Sequence, residues 1–186
     1  MITHDIKSAR YVALDDLVHV NIIRDNGQEA STSIYSDVQG GMIAFLADGG
    51  VIDPYVAPAV TSSDVNAERD RRINAGFVYA AAEYQTDVGS RENIAGAQGL
   101  SLGAMIADPQ GTQGLRWDNP DVDFAWTDAT NNEIPMTAAQ CQAFCQAAMQ
   151  YKSALIKAAR VIKDLNPIPG DYADDNSGHW PSRTLD

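Results

Sequence analysis

Asp121 and Asp123 are the pair whose type and spacing could do chemistry. One residue apart on an extended segment, their side chains project the same way. Two carboxylates facing one cleft can hydrolyse a glycoside, one as acid and the other as base or nucleophile. Sequence cannot show a shared cleft, and a solvated acidic surface is the commoner source of such residues. Asp171, Asp174 and Asp175 cluster later, without the D-x-[DN]-x-[DN]-G spacing of a calcium loop. Cys141 and Cys145 stand four apart in one helical pattern and lack the second pair of a structural zinc site. They read as buried small apolar residues in a reducing compartment. His4, His19 and His179 lie far apart, none at metal-ligand spacing. No dinucleotide fingerprint, phosphate loop or nucleophile elbow is present. Gly96-Ala97-Gln98-Gly99, and the later Gly111 and Gly114, lack the lysine or the strand-turn-helix context of a phosphate loop. No catalytic, cofactor-binding or metal-binding residue is therefore expected. Trp117, Phe124 and Trp126 read as core. Trp180, in a polar tail, reads as an anchor for a partner, because a large ring gains much by burial.

The totals narrow the classes further. The 186 residues hold 25 Asp and Glu against 13 Lys and Arg, a formal net charge of −12. Such charge repels phosphate backbones, which argues against nucleic acid as a partner. A 45% hydrophobic fraction is ordinary for a folded chain. No apolar run approaches the roughly 20 residues that span a bilayer. Met1-Ile2-Thr3-His4-Asp5 has no basic stretch followed by an apolar one. Membrane insertion and export by the general pathway are not expected.

These residues need elements to position them, and the pattern is α+β. A small N-terminal β-hairpin and helix module is expected over 1–53: strands at Ala9–Leu14, Val18–Ile23 and Gln28–Ile34, with turns at Asp15-Asp16 and Asp25-Asn26-Gly27. Asp37 caps a short helix carrying Val38, Met42, Phe45 and Leu46, closed by Gly49-Gly50. Val51-Ile52 gives a last strand. Prolines and small polar residues mark a linker over 54–62. An α+β lobe spans 63–166. It opens with a charged helix, Asp64–Ala75, polar nearly all round, which reads as an exposed connector or as a helix along a symmetry axis. A small hairpin follows, Phe77–Tyr79 with Glu83–Gln85, then a helix from about Ser90 to Ala107. Gly96, Gly99 and Gly103 share one face of that helix. Either another backbone packs close there, or the helix is weak, since each glycine costs about 1 kcal/mol relative to alanine. Leu115–Trp117 and Phe124–Thr127 read as strands, with a turn at Asn131-Asn132. The last helix starts at the capping box Thr137-Ala138-Ala139-Gln140 and runs to about Leu165, where Asn166-Pro167 stops it. Residues 167–186 form an extended tail, rich in Pro, Gly, Asp and Ser, that taken alone is expected to be disordered.

The last helix carries one narrow polar stripe: Gln142, Gln146, Gln150, Ser153, Lys157, Arg160 and Asp164. Both flanks are largely apolar. Cys141, Phe144, Cys145, Ala148, Leu155, Ala159 and Ile162 form one side, and Ala147, Tyr151, Ala154, Ala158, Val161 and Leu165 the other. An ordinary surface helix hides a stripe of about 100°. This one needs two partners, the second being either the glycine-faced helix or another subunit. Partner contacts are expected at Trp180 and Tyr172 in the tail and at Tyr151, Leu155 and Ile162 on the helix.

An ordered set of segments adds a family likeness: Glu68–Phe77, Tyr84-Gln85, Arg91–Ala97, Leu115–Trp117, Phe124–Trp126 and Ser153–Ile156. Over about 66–165 the chain resembles a domain of unknown function that recurs in tail genes of tailed phages and prophages. Asp48–Tyr55 is similar to the end of a module that often precedes that domain. The resemblance implies a virion component of the tail tip or fibre region, made in the host cytoplasm and working through protein–protein contacts. Its implied partners are other phage tail proteins and further copies of itself, three by analogy with fibres. It brings no catalytic motif. A tail-fibre assembly chaperone absent from the mature particle is the alternative, and a glycan-cleaving enzyme is a third.

Overall fold

The structure, a computed structural model, describes residues 6–13, 19–33 and 41–185. The chain divides into two compact units, Met1–Pro58 and Ala59–Asp186. The architecture is α+β, with small sheets and one long helix near the C-terminus.

In the first unit, β1 (Ile6–Tyr11), β2 (His19–Arg24) and β3 (Glu29–Ser33) form an antiparallel meander. Gly27, at φ 83°, makes the turn between β2 and β3. The alternation along β2 is realised: Val20 and Ile22 are buried while Ile23 is exposed. The short helix α1 (Gly41–Ala47) places Met42 and Phe45 against that apolar face. Leu46, expected with them, points outward. β4 (Ile52–Asp53) returns parallel to β1. The expected turn at Asp15-Asp16, the cap Asp37 and Val38 lie outside the described residues.

The second unit is built on α4 (Ala138–Lys163), whose N-terminus has the expected capping box between Thr137 and Gln140. The polar stripe faces solvent except at Gln142, which accepts from Ser101 at 3.0 Å. Cys141, Phe144, Cys145, Ala148, Tyr151, Leu155, Ala159 and Ile162 are buried. The covers are α2 (Ser62–Asn74), α3 (Val88–Ala107) and β5 (Phe77–Tyr79). Both partners that the helix requires thus come from its own chain. The second apolar side is half covered at Ala147, Ala154 and Ala158 and open at Val161 and Leu165.

Four expectations are corrected. First, α2 is no exposed connector: Val65, Glu68 and Ile73 are buried and the helix packs on α4. Its charged residues pair with one another and with the tail, so a polar sequence still supplies a buried face. Second, no backbone of this chain packs on the glycines of α3. A side chain at Gly96, Gly99 or Gly103 would meet open space, because α3 buries its opposite face through Ile94, Ala97 and Ser101. Third, Leu115–Trp117 is a run of turns, with Gly111 and Gly114 at positive φ. Trp117 is still core, its indole N–H donating to Met136 O at 2.9 Å. The hairpin there is β7 (Ala125–Thr127) with β8 (Glu133–Pro135). Fourth, the C-terminal segment is ordered. It folds back through Ile168 and Tyr172, buries Trp180, and ends in β9 (Thr184–Leu185), parallel to β5. Composition could not show this, because the apolar residues that hold the segment are few and widely spaced.

β5 also pairs with β6 (Ala82–Tyr84) through a turn in which Ala80 and Ala81 both have positive φ, 47° and 66°. Alanine carries a steric penalty there that glycine does not. Ala81→Gly should therefore raise the stability of this unit by about 1 kcal/mol, read as a higher urea midpoint. Trp180→Ala should lower it by about 3 kcal/mol, and deleting 167–186 by more, with Trp117 and Trp126 as fluorescent reporters of the same unit. An unchanged midpoint on truncation would contradict the ordered tail.

Candidate interaction surfaces

The five residues expected to carry partner contacts are occupied inside the chain. Leu155, Ile162 and Tyr151 are buried, and so is Trp180, at 8% exposure; Tyr172 is half-buried. All five belong to or pack on one core. Trp180 donates its indole N–H to Tyr172 O at 2.6 Å, and the Arg72 guanidinium lies 4.9 Å from its ring centroid. The anchor expected to insert into a neighbour has its socket in its own fold.

That socket is an ion network. Glu68, on the buried side of α2, accepts from Arg71 Nε and Nη2 and from Arg72 Nε, each at 2.7 Å. The Arg71 guanidinium, with Arg72 beside it, holds the Glu68 carboxyl below the ordinary glutamate range against the opposing effect of burial. Arg72 Nη2 continues to Ala173 O at 3.0 Å and to Asp175 at 2.7 Å. From the far end of the chain, Arg183 donates to the carbonyls of Ala75 and Gly76 and to the Glu83 carboxylate. Gly76 is required: at φ 81°, with Tyr84 O against it, it leaves no room for a Cβ. The sequence did not show the roles of Arg183 and Asp175, whose partners lie about a hundred residues away.

The outward face of α3 is the opposite case. Gly96, Gly99 and Gly103 line it, and Leu100 (62% exposed), Leu102 and Ile106 (72% exposed) flank them. Glu92 is the one charged side chain along this face. Single exposed apolar residues need no explanation, but a contiguous apolar helix face does.

The groups singled out for chemistry are placed as follows. Asp121 and Asp123 are exposed, and Asp123 pairs with Arg116 at 2.9 Å. Cys141 and Cys145 are buried free thiols; the Cys141 sulfur and burial both push the Cys145 thiol up. His179 Nε2 lies 3.4 Å from Asp171 within the C-terminal segment. Among the described residues no group of three His, Cys, Asp or Glu could hold a metal ion, and no helix is long and apolar enough to cross a membrane.

The family model for a domain of unknown function, DUF4376, matches residues 56–176. The chain belongs to that family. No curated protein and no solved structure matches it. The DUF4376 match contains α2, α3 and α4 whole, and hence both Glu68 and the open α3 face. Trp180 and Arg183 lie beyond it, so in this chain the unit is completed by a segment outside the matched range.

Asp128 gives this unit its clearest pH dependence. Its carboxylate closes the β7–β8 loop by accepting from the amides of Thr130 and Asn132, both at 2.8 Å, and from both their side chains. Those donors, the Asn132 amide foremost, lower its pKa to about 2. A folded pKa below the unfolded value near 3.8 stabilises the fold above about pH 4, an advantage lost as pH falls towards 2. Asp128→Asn should be less stable than the parent chain at pH 5, and the gap in urea midpoint should close towards pH 2. A gap independent of pH would refute this assignment.

Proposed function

We propose that the chain is a structural component of a tailed-phage particle, at the tail tip or fibre region, acting through protein–protein contacts. The likeness of residues 66–165 to a domain of phage tail genes motivates the setting. The observation that carries the mode of action is the uncommitted apolar face of α3.

The occupant of that face is a second copy of the chain. With a net charge of −12, two copies repel over most of their surface, and this face carries little of that charge. Three glycines let another helix approach closely, with Leu100, Leu102 and Ile106 as flanking ridges. Direction follows from Glu92. In a parallel pair the two carboxylates would face each other. In an antiparallel pair centred on Gly99 they would stand about 20 Å apart, at 1.5 Å per residue, well beyond the Debye length. A face meeting itself gives a two-fold contact, so the proposal is for pairs, where the analogy with fibres suggested three copies.

Light scattering at micromolar concentration should give twice the mass of one chain, and Ile106→Glu should halve it without shifting the thermal midpoint. A single-chain mass for the parent protein would remove the α3 contact. Mass spectrometry of purified particles should find the chain; its absence would replace the virion component by an assembly chaperone that leaves before completion.

A further inference from the structure

A second surface, independent of the α3 contact, has the composition of a binding site. Within the second unit a cleft of about 400 Å³ is lined by Arg71, Arg72, Arg183, Tyr151, Asp175 and Trp180, among others. Such a convergence of guanidinium groups is unusual in a chain with 25 acidic residues against 13 basic ones. Each is fixed by the protein through Nε and Nη2 alone. Arg71 and Arg72 hold Glu68, Arg72 also reaches Ala173 O and Asp175, and Arg183 holds the carbonyls of Ala75 and Gly76 together with Glu83. None of the three Nη1 groups has an acceptor among the described residues. Forks already oriented through their other nitrogens lose little freedom on binding an anion.

Tyr151 is the independent observation. It is 5% exposed, its ring stacks 5.7 Å from Phe77, and it lines the cleft. Its hydroxyl makes no hydrogen bond among the described residues and is not sealed in the core, so it is open to the cleft and free to donate to a ligand. Burial pushes the phenol up, so it remains a donor at neutral pH; the charges acting on it are Arg183, Arg72, Asp175 and Arg71, the charged wall of the cleft.

The geometry points to a site for a small hydroxylated carboxylate of the uronic acid class, bound by the Tyr151 hydroxyl and the free Nη1 donors. A monoanion suits the local charge. The three guanidiniums are already balanced by Glu68, Glu83 and Asp175, so added negative charge is disfavoured in proportion to its size, and a dianion such as phosphate more than a monocarboxylate. Asp175, whose side chain is 77% exposed, holds Arg72 at 2.7 Å and can accept from hydroxyl groups of the ligand. The volume accommodates one sugar-sized molecule. Arg71, Arg72 and Tyr151 come from α2 and α4, and most of the remaining wall from the segment after residue 170, so the site exists only when that segment is docked.

The test is titration of the full chain with glucuronate, followed by the amide and indole N–H signals in a nitrogen-15 correlation spectrum. The Trp180 indole signal should shift saturably. Tyr151→Phe, which keeps the ring packing, should weaken binding by at least about fivefold. Arg71→Lys, which keeps a cation beside Glu68 and removes the Nη1 donor, should do the same and serves as the second variant if Tyr151→Phe perturbs the fold. Acetate should bind more weakly than glucuronate, and inorganic phosphate more weakly still. No saturable shift with glucuronate, binding unchanged in both folded variants, or phosphate binding as tightly as glucuronate would each overturn the proposal.

Discussion

Phe144 is fully buried on α4, and four other rings surround it: Tyr84 at 4.5 Å, Trp126 at 4.9 Å, Phe77 at 6.0 Å and Tyr79 at 6.1 Å. Those rings come from the β5–β6 and β7–β8 hairpins, so one side chain ties both to the long helix. A helix of this length with a continuous apolar stripe must be covered, and hydrophobic burial at about 25 cal/mol per Å² makes that requirement dominant. Short strands such as these are marginal by themselves. They persist because their aromatic residues complete the cover of α4.

Charge then decides what may lie over this core. In α2, Arg71 and Arg72 neutralise Glu68, which lets an otherwise polar helix lie on α4. A buried carboxylate of this kind is tolerable only with its partners in place. Arg72, together with Arg183, also fixes the C-terminal segment, through backbone carbonyls and Asp175. One network therefore seats a helix and a tail at once. The proposed association and the proposed ligand site use different places: an apolar, nearly uncharged helix face, and a guanidinium-rich cleft that the tail completes.

Much of the scaffold was legible in local pattern. The capping box at Thr137, the turn at Gly27, the alternation of Val20 and Ile22 and the polar stripe of α4 each follow from contacts within a few residues. What was not legible depends on distance along the chain. Residues 167–186 look structureless because their order comes from Arg72, Gly76 and β5, roughly a hundred residues earlier. The glycines of α3 carry the same composition whether a neighbour is present or not, and only the position of Ile94 and Ala97 shows which face is buried. Leu115–Trp117 has strand-forming residues, but the glycines preceding it turn the chain. Of the residues proposed for the cleft, Trp180, Tyr151 and Asp175 stood out in sequence, but nothing there joined them to Arg183; folding brings them together.

The central claim is that the chain closes its own fold with its C-terminal segment instead of lending that segment to a neighbour. Native-state hydrogen exchange tests it at one amide, that of Val78, which donates to Arg183 O at 2.9 Å. In dilute protein the account requires Val78 to be protected along with the core amide of Leu155, the two opening together. Exchange of Val78 at the rate of an unstructured chain, with Leu155 still protected, would show the segment undocked and contradict the account.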